Sequence, residues 1–208
     1  RDGCRARLRL PCGAPVIGMV ANLATWKRHD AFIAAAAFIR DALPDARFVI
    51  VGRDLFLEHA VWWAQLERQV EQAGLSESLQ WVRECDDIME VLPAFDLLLH
   101  PAMGEPFGRV ICEAMAAGVP VIAAASGGPV HIIKNGVSGM LVRGGAPRAM
   151  ADTAVTLLRD RETVARLSDA GKELVAAKFS ADRVCDQIAS VYKDLLFSIA
   201  NSHDDDDD

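Results

Sequence analysis

The sequence predicts an α/β fold: a doubly wound parallel sheet of about six strands, in the order 3-2-1-4-5-6. Three observations carry this expectation. Short runs of aliphatic residues alternate with longer stretches of helical spacing along most of the 208 residues. The short runs, such as Val121-Ile122-Ala123, are apolar on successive positions, as strands covered on both faces are. Two glycine loops, Gly104 to Gly108 and Ser126 to Gly128, directly follow such runs, and open parallel sheets bind ligands where loops leave the carboxyl ends of their strands.

Taken in order, residues 1 to 14 are basic and then rich in Pro and Gly, and read as a linker. Pro15 to Val20 is the first strand, and Ala21 to Arg28 the loop after it. Helical spacing runs from Asp30 to Ala42 and stops at Leu43-Pro44-Asp45. Arg47 to Val51 is the second strand, closed by Gly52, and Phe56 to Ala73 a long helix ending at Gly74. Leu79 to Val82 is the third strand, Asp86 to Leu92 a short helix before Pro93, and Leu97-Leu98-Leu99 the fourth strand. From Arg109 to Ala117 the spacing is helical again, with Gly118 as the stop. Val121-Ile122-Ala123 is the fifth strand and Gly139 to Val142 the sixth. Three helices finish the chain: Pro147 to Arg159, Glu162 to Lys178, and Ala181 to about Ile199, with Ser180 placed to cap the last. One domain over residues 15 to 200 is the simplest count, followed by an acidic tail over 201 to 208.

Bulk properties exclude several classes. The longest unbroken apolar run, Ala31 to Ile39, is nine residues, and spanning a bilayer takes roughly 18. The net charge is −7, but five acidic charges belong to the terminal run Asp204 to Asp208, so the body is close to neutral. Such a run repels itself and reads as disordered. No basic patch with interleaved aromatics is present, which argues against nucleic acid as a partner. The five cysteines are scattered, without a C-x-x-C pair, and fit a reducing, cytoplasmic compartment without a structural metal. Cys112 sits one turn into a helix, a position for packing more than for a nucleophile. The chain starts at Arg1 without a signal-peptide pattern, and reads as a piece of a longer protein. The adjacent Trp62 and Trp63 cannot both face one core, so one is expected at the surface or against a partner.

The stretch from Gly104 to Gly128 carries the chemistry. Glu105 lies in the first glycine loop and Glu113 about one turn into the following helix. Between them, the amides of Phe107 to Val110 form a helix N-terminus, where free N–H groups and the helix dipole favour an anion. An anion pocket flanked by two carboxylates suits a phosphate that also carries hydroxyls, and a sugar nucleotide is such a ligand. The G-x-G-x-x-G fingerprint and the Gly-Lys-Ser/Thr phosphate loop are both absent, which argues against dinucleotide and NTPase chemistry. The histidines and carboxylates show no metal-ligand spacing.

This block, Glu105-Pro106-Phe107-Gly108 through Glu113-Ala114-Met115-Ala116-Ala117-Gly118, then Pro120-Val121 and Gly127-Gly128, resembles the donor domain of glycosyltransferase family 4, with its Glu-x7-Glu motif. The resemblance spans about Val16 to Leu196. It implies the Rossmann-like C-terminal half of an enzyme with two facing domains, the GT-B fold, and retaining transfer of a glycosyl group from a nucleoside diphosphate sugar without a cofactor or an essential metal. In that family the loop after the first strand gives an Arg and a Lys, five positions apart, to the donor diphosphate. Lys27 matches the Lys, while Asn22 stands at the Arg position. Asn can bond a phosphate oxygen but brings no charge. The Gly often found after the Lys is Arg28, which would restore a positive charge nearby.

The resemblance places Glu105 near the anomeric centre and Lys27 on the leaving diphosphate, as the catalytic pair. Asn22, Pro106, Phe107, Gly108, Arg109, Val110 and Glu113 would bind the donor, with Glu113 on the ribose. Arg109 is open to two readings, a phosphate clamp or a solvent-facing side chain. His131 stands where similar proteins carry a Glu and reads as packing or capping. His100 would touch the sugar or fix the loop. The resemblance also implies an N-terminal acceptor domain as partner, through which any peripheral membrane contact would run. This chain alone would then bind donor without transferring sugar. A non-catalytic nucleotide- or partner-binding module, and a sugar-nucleotide epimerase on the same fold, are the alternatives.

Overall fold

The computed structural model describes residues 1–55 and 59–202, with side chains to residue 197. Six strands form one sheet: β1 (Val16–Val20), β2 (Arg47–Val51), β3 (Leu79–Val82), β4 (Leu97–His100), β5 (Val121–Ala124) and β6 (Met140–Val142). Their order is β3-β2-β1-β4-β5-β6 and every pairing is parallel. This is the predicted topology, down to the reversal of strand order at β1 and β4.

The helices are α1 (Asp2–Arg7), α2 (His29–Ala42), α3 (Ala60–Gln72), α4 (Arg109–Ala116), α5 (Pro129–Ile132), α6 (Pro147–Arg159), α7 (Arg161–Lys178) and α8 (Ala181–Ser202). Ile17 and Met19 of β1, Phe48 and Ile50 of β2, and Leu97 and Leu99 of β4 pack into one cluster with apolar residues of α2, α3 and α6. The intervening residues Val16, Val49, Leu98 and Val121 are buried too. Both faces of the sheet are therefore covered, which is why its strands read as continuous apolar runs rather than as alternation. Each fully buried aliphatic side chain contributes about 1.5–3 kcal/mol relative to exposure.

The structure departs from the sequence reading in four places. Asp2–Arg7, expected as linker, is helical. Arg5 explains this: it donates to Ala94 O at 3.0 Å and Ala14 O at 3.1 Å and pairs with Asp96 at 2.6 Å. A basic residue there reads as solvated, yet each of its three guanidinium nitrogens has a partner inside the fold. In place of the helix expected over 86–92 there are two 3-10 turns, Ile88–Glu90 and Leu92–Ala94. Neither Trp62 nor Trp63 is exposed. Both pack against the core cluster, and Trp63 lies 4.5 Å from the ring of Trp81. The long helix begins at Ala60, and residues 56–58 of the predicted span lie outside the described residues.

Contacts divide the chain into two compact units, Arg1–Lys172 and Glu173–Asp208, so the division falls within α7. In the second unit, α8 runs two residues into the predicted tail. Its Val184, Ile188, Val191 and Leu195, at helical spacing, are exposed. The acidic run 204–208 lies outside the described residues. Among the described residues, no helix is long and apolar enough to cross a membrane.

Candidate functional site

β1 pairs with β2 on one side and β4 on the other, so the crossovers from β1 and β4 leave in opposite senses. A crevice opens at such a reversal, outside the carboxyl ends of the strands. Here it is a cleft of about 810 Å³. Its walls include Asn22, Lys27, Glu105, Pro106, Phe107, Gly108, Arg109, Val110 and Glu113. All nine site residues expected from the sequence therefore meet in one cavity, although Lys27 and Glu105 are 78 positions apart.

The loop after β1 is held from both ends. Ala21 N–H donates to Val51 O and Leu23 N–H to Arg53 O, each at 2.9 Å. Met103 N–H donates to Trp26 O at 3.0 Å, which ties this loop to the one after β4. A 3-10 turn, Thr25–Lys27, ends at Arg28 in the left-handed conformation, φ 60° and ψ 46°. Only glycine adopts this conformation without a Cβ penalty. Arg28 does not line the cleft. Its Nε donates to the Asp30 carboxylate at 3.1 and 3.2 Å, so the positive charge expected from it in the cleft is instead held in a local ion pair.

Lys27 Nζ sits 2.6 Å from Glu105 Oε2 and 4.0 Å from the centre of the Trp26 ring. Glu105 is only 7% exposed. The second glycine loop fixes its backbone: Gly128 N–H donates to Glu105 O at 2.6 Å, and Gly127 forms a parallel bridge with Glu105. A Cβ on Gly127 would come within 2.3 Å of Glu105 O, and one on Gly128 within 2.1 Å of Phe107 O. The Gly-Gly pair is thus needed for close approach of two backbones.

His100 Nε2 reaches the same Oε2 of Glu105 at 3.2 Å. The Glu105 carboxyl is pulled from its ordinary 4.5 to about 2, first by the hydrogen bond from His100 and then by Lys27, against the opposing cost of burial. It stays ionised at any working pH.

Gly108, at φ 97°, caps α4. The first amides of a helix have no partner within it, and the dipole adds positive potential there. Glu113, one turn on, lies 3.5 Å from Arg109 Nε. The Arg109 side chain is 88% exposed at the mouth of the cleft. Cys112, next to Glu113, is buried, and its thiol is pushed up to about 11 by burial and by the neighbouring carboxylate. That is a packing residue, as its place in the sequence suggested.

Two histidines fall outside the cleft. His131 is exposed on α5 and does not line it, while His100 lies beneath it, 1% exposed. Of the two readings of His100, its geometry matches the one in which it fixes the loop, through its contact with Glu105. Arg53, Arg83, Asp86 and Asp87 line the cleft and were missed in the sequence. Arg53 follows β2 and the others follow β3, at the same sheet edge as Lys27. Position after a strand end could have found them: Arg53 directly follows Gly52, whereas the segment after β3 has no glycine to mark it.

The family model for group 1 glycosyl transferases matches residues 2–174. The chain belongs to this family. Among its relatives, the D-inositol 3-phosphate glycosyltransferase of Corynebacterium urealyticum is 30% identical over 200 residues, 93% of this chain and 46% of the relative. The crystal structure of Anabaena HepE in complex with UDP and glucose superposes with a TM-score of 0.86 at 28% identity, over 92% of this chain and 51% of that one. A C-terminal domain of a group 1 glycosyl transferase from Francisella tularensis, LpcC, superposes with a TM-score of 0.79 at 27% identity, over 87% of this chain and 93% of that one. The chain spans about half the length of the curated relatives it matches. Its α/β fold with a six-stranded parallel sheet matches that of the group 1 glycosyl transferase domain.

Proposed function

We propose that this chain is the C-terminal, donor-binding domain of a retaining glycosyltransferase of family 4, and that its cleft binds a nucleoside diphosphate sugar. The observation that carries the reading is the convergence of Lys27, Glu105, Glu113 and the α4 N-terminus in one cleft. A binding site for UDP and glucose in a relative of the same fold supports it.

In this reading the diphosphate lies at the amides of Gly108 to Val110, with Lys27 and Asn22 on its oxygens. Glu113 accepts from the ribose hydroxyls. Glu105 accepts from hydroxyls of the sugar and faces the positive charge that develops at its anomeric carbon. In transfer, the bond from that carbon to the diphosphate oxygen breaks, a bond to the acceptor oxygen forms on the same face of the ring, and the acceptor's hydroxyl proton passes to the leaving diphosphate oxygen. The charge gathering on the leaving diphosphate is met by Lys27 and the helix amides, which are fixed before the reaction starts. Glu105 is not assigned as a nucleophile. No cofactor enters the scheme, and the nucleotide sugar is a substrate.

The acceptor is assigned to the N-terminal half of the complete protein, as is any peripheral membrane contact. The compartment is assigned as the cytoplasm, where nucleotide sugars would be met and free cysteines kept reduced. These 208 residues bind the donor but transfer negligibly, because the positioning of both reactants supplies about 7–11 kcal/mol of barrier lowering.

The test is a thermal-stability panel of nucleotide sugars and nucleoside diphosphates, since a ligand that binds the folded state raises its stability by mass action. A coupled assay for released nucleoside diphosphate accompanies it. Saturable stabilisation without acceptor-dependent turnover is expected. Absence of stabilisation by every member of the panel would favour an interaction module instead.

A further inference from the structure

Glu105 has two partners, and both use one oxygen. Lys27 Nζ is 2.6 Å and His100 Nε2 is 3.2 Å from Oε2. Among the described residues no hydrogen bond goes to Oε1. The two partners differ in what surrounds them. Lys27 lines the cleft on a loop, where a ligand can reach it. His100 ends β4, is paired in register with Ala123 of β5, is 1% exposed, and does not line the cleft.

Resting on the donor-site reading above, we propose that His100 is a positioning residue that holds Glu105 in place independently of Lys27. Lys27 can then pass to the donor's diphosphate while Oε1 stays turned to the sugar. The argument is electrostatic. A diphosphate entering at the α4 N-terminus competes with Glu105 for the Lys27 ammonium. Were Lys27 the only partner, its departure would strand a nearly buried carboxylate, which is costly. The carboxylate would then take up a proton or turn toward other donors, and would lose its orientation toward the sugar. A ring N–H anchored in the sheet removes both outcomes, because it satisfies Oε2 from below and cannot follow the phosphate. The charged and titratable groups this places around His100 are Glu105 itself and, through the shared oxygen, Lys27.

The hydrogen bond to His100 is also the leading cause of the depressed Glu105 titration, ahead of Lys27. This agrees with the geometry, in which the contact from His100 does not depend on the lysine.

The experiment follows the Glu105 carboxyl by carbon NMR in the full chain, with circular dichroism as the check on folding. In Lys27→Met, which stands in for the departed ammonium, Glu105 should still titrate well below its ordinary 4.5. Adding His100→Leu should raise it by about one pH unit or more. Adding His100→Gln instead, which keeps an N–H donor, should restore the low value. The Gln variant also keeps the test usable if Leu disturbs the fold. An unchanged titration when His100→Leu is added to Lys27→Met would overturn the proposal.

With Lys27 in place, UDP and UDP-glucose serve as probes. His100→Leu should lower the preference for UDP-glucose over UDP by roughly tenfold, with UDP affinity unchanged and the preference recovered in His100→Gln. If the titrations behave as expected but neither probe binds the parent chain, the His100–Glu105 coupling stands, and it is uridine as the base of the donor that falls.

Discussion

Lys27 and Glu105, on loops that follow β1 and β4, are joined by a hydrogen bond of 2.6 Å across the floor of the cleft. The lysine assigned to the leaving diphosphate and the carboxylate assigned to the sugar are therefore paired with each other before any ligand arrives. Neither is free to be read alone, and several consequences follow from the pair.

Glu105→Gln removes a negative charge beside the diphosphate site and releases Lys27. We expect UDP affinity to hold or rise, up to roughly tenfold, because a like charge at this range costs on the order of 1 kcal/mol or more. The extra affinity for UDP-glucose over UDP should disappear. Calorimetric titration with both ligands checks this, and a large fall in UDP affinity would mean that Glu105 supports the nucleotide and not the sugar.

Acid should destabilise the fold in two separable steps. Burial lowers the His29 titration from 6.5 to about 4, so between those values the unfolded chain binds a proton that the folded chain refuses, and stability falls as pH falls. Glu105 acts in the same direction between 4.5 and about 2. Each gap corresponds to roughly 3 kcal/mol. His29→Gln should flatten the upper step and Glu105→Gln the lower one in urea unfolding measured across pH. Superimposable profiles below pH 4.5 for Glu105→Gln and its parent would contradict the assignment.

Glu113→Ala should weaken nucleoside diphosphate binding roughly tenfold to a hundredfold, the loss of a hydrogen bond to a charged group of about 1.5–3 kcal/mol. The side chain is one-third exposed and its ionic partner is Arg109 at the cleft mouth, so the fold should be little affected. Equal affinity for mutant and parent, with matching circular dichroism, would remove Glu113 from the site.

Arg28→Gly should stabilise the chain, by about 1 kcal/mol. A non-glycine residue in the left-handed region costs roughly 1–2 kcal/mol, and the one-third-exposed pair with Asp30 that is lost contributes about 0–1 kcal/mol. Denaturant unfolding gives the sign directly, and a clear loss of stability would show that the Arg28–Asp30 pair outweighs the backbone strain.

The sheet order and the location of the site were legible in the sequence for one physical reason. A parallel sheet covered on both faces writes its strands as plain apolar runs, and the residues that serve the cleft sit just after them. Glu105 and Lys27 lie in loops that follow such runs and Glu113 one turn into the helix after them, while the roles expected of all three came from the family resemblance. What could not be read were relationships that depend on which groups meet in space. Arg5 looked like part of a solvated basic linker because nothing local announces Asp96 as its partner. The left-handed backbone at Arg28 is invisible when the residue is not glycine. Trp62 and Trp63 were read by helical spacing alone, but Trp81 from β3 extends the surface against which Trp63 packs. The Gly127-Gly128 pair was recognised as a loop, whereas its reason, the close approach to Glu105 and Phe107, is tertiary.

The central claim is that the α4 N-terminus and Lys27 form a nucleoside diphosphate site. The most direct measurement is an amide NMR titration of the chain with UDP, repeated with ADP and GDP. The account predicts saturable shifts for at least one of these nucleotides, concentrated at the amides of Gly108, Arg109 and Val110 and at the loop carrying Asn22 and Lys27, and weakened in Lys27→Ala. No saturable shift with any of the three, or shifts mapping away from the cleft, would contradict it.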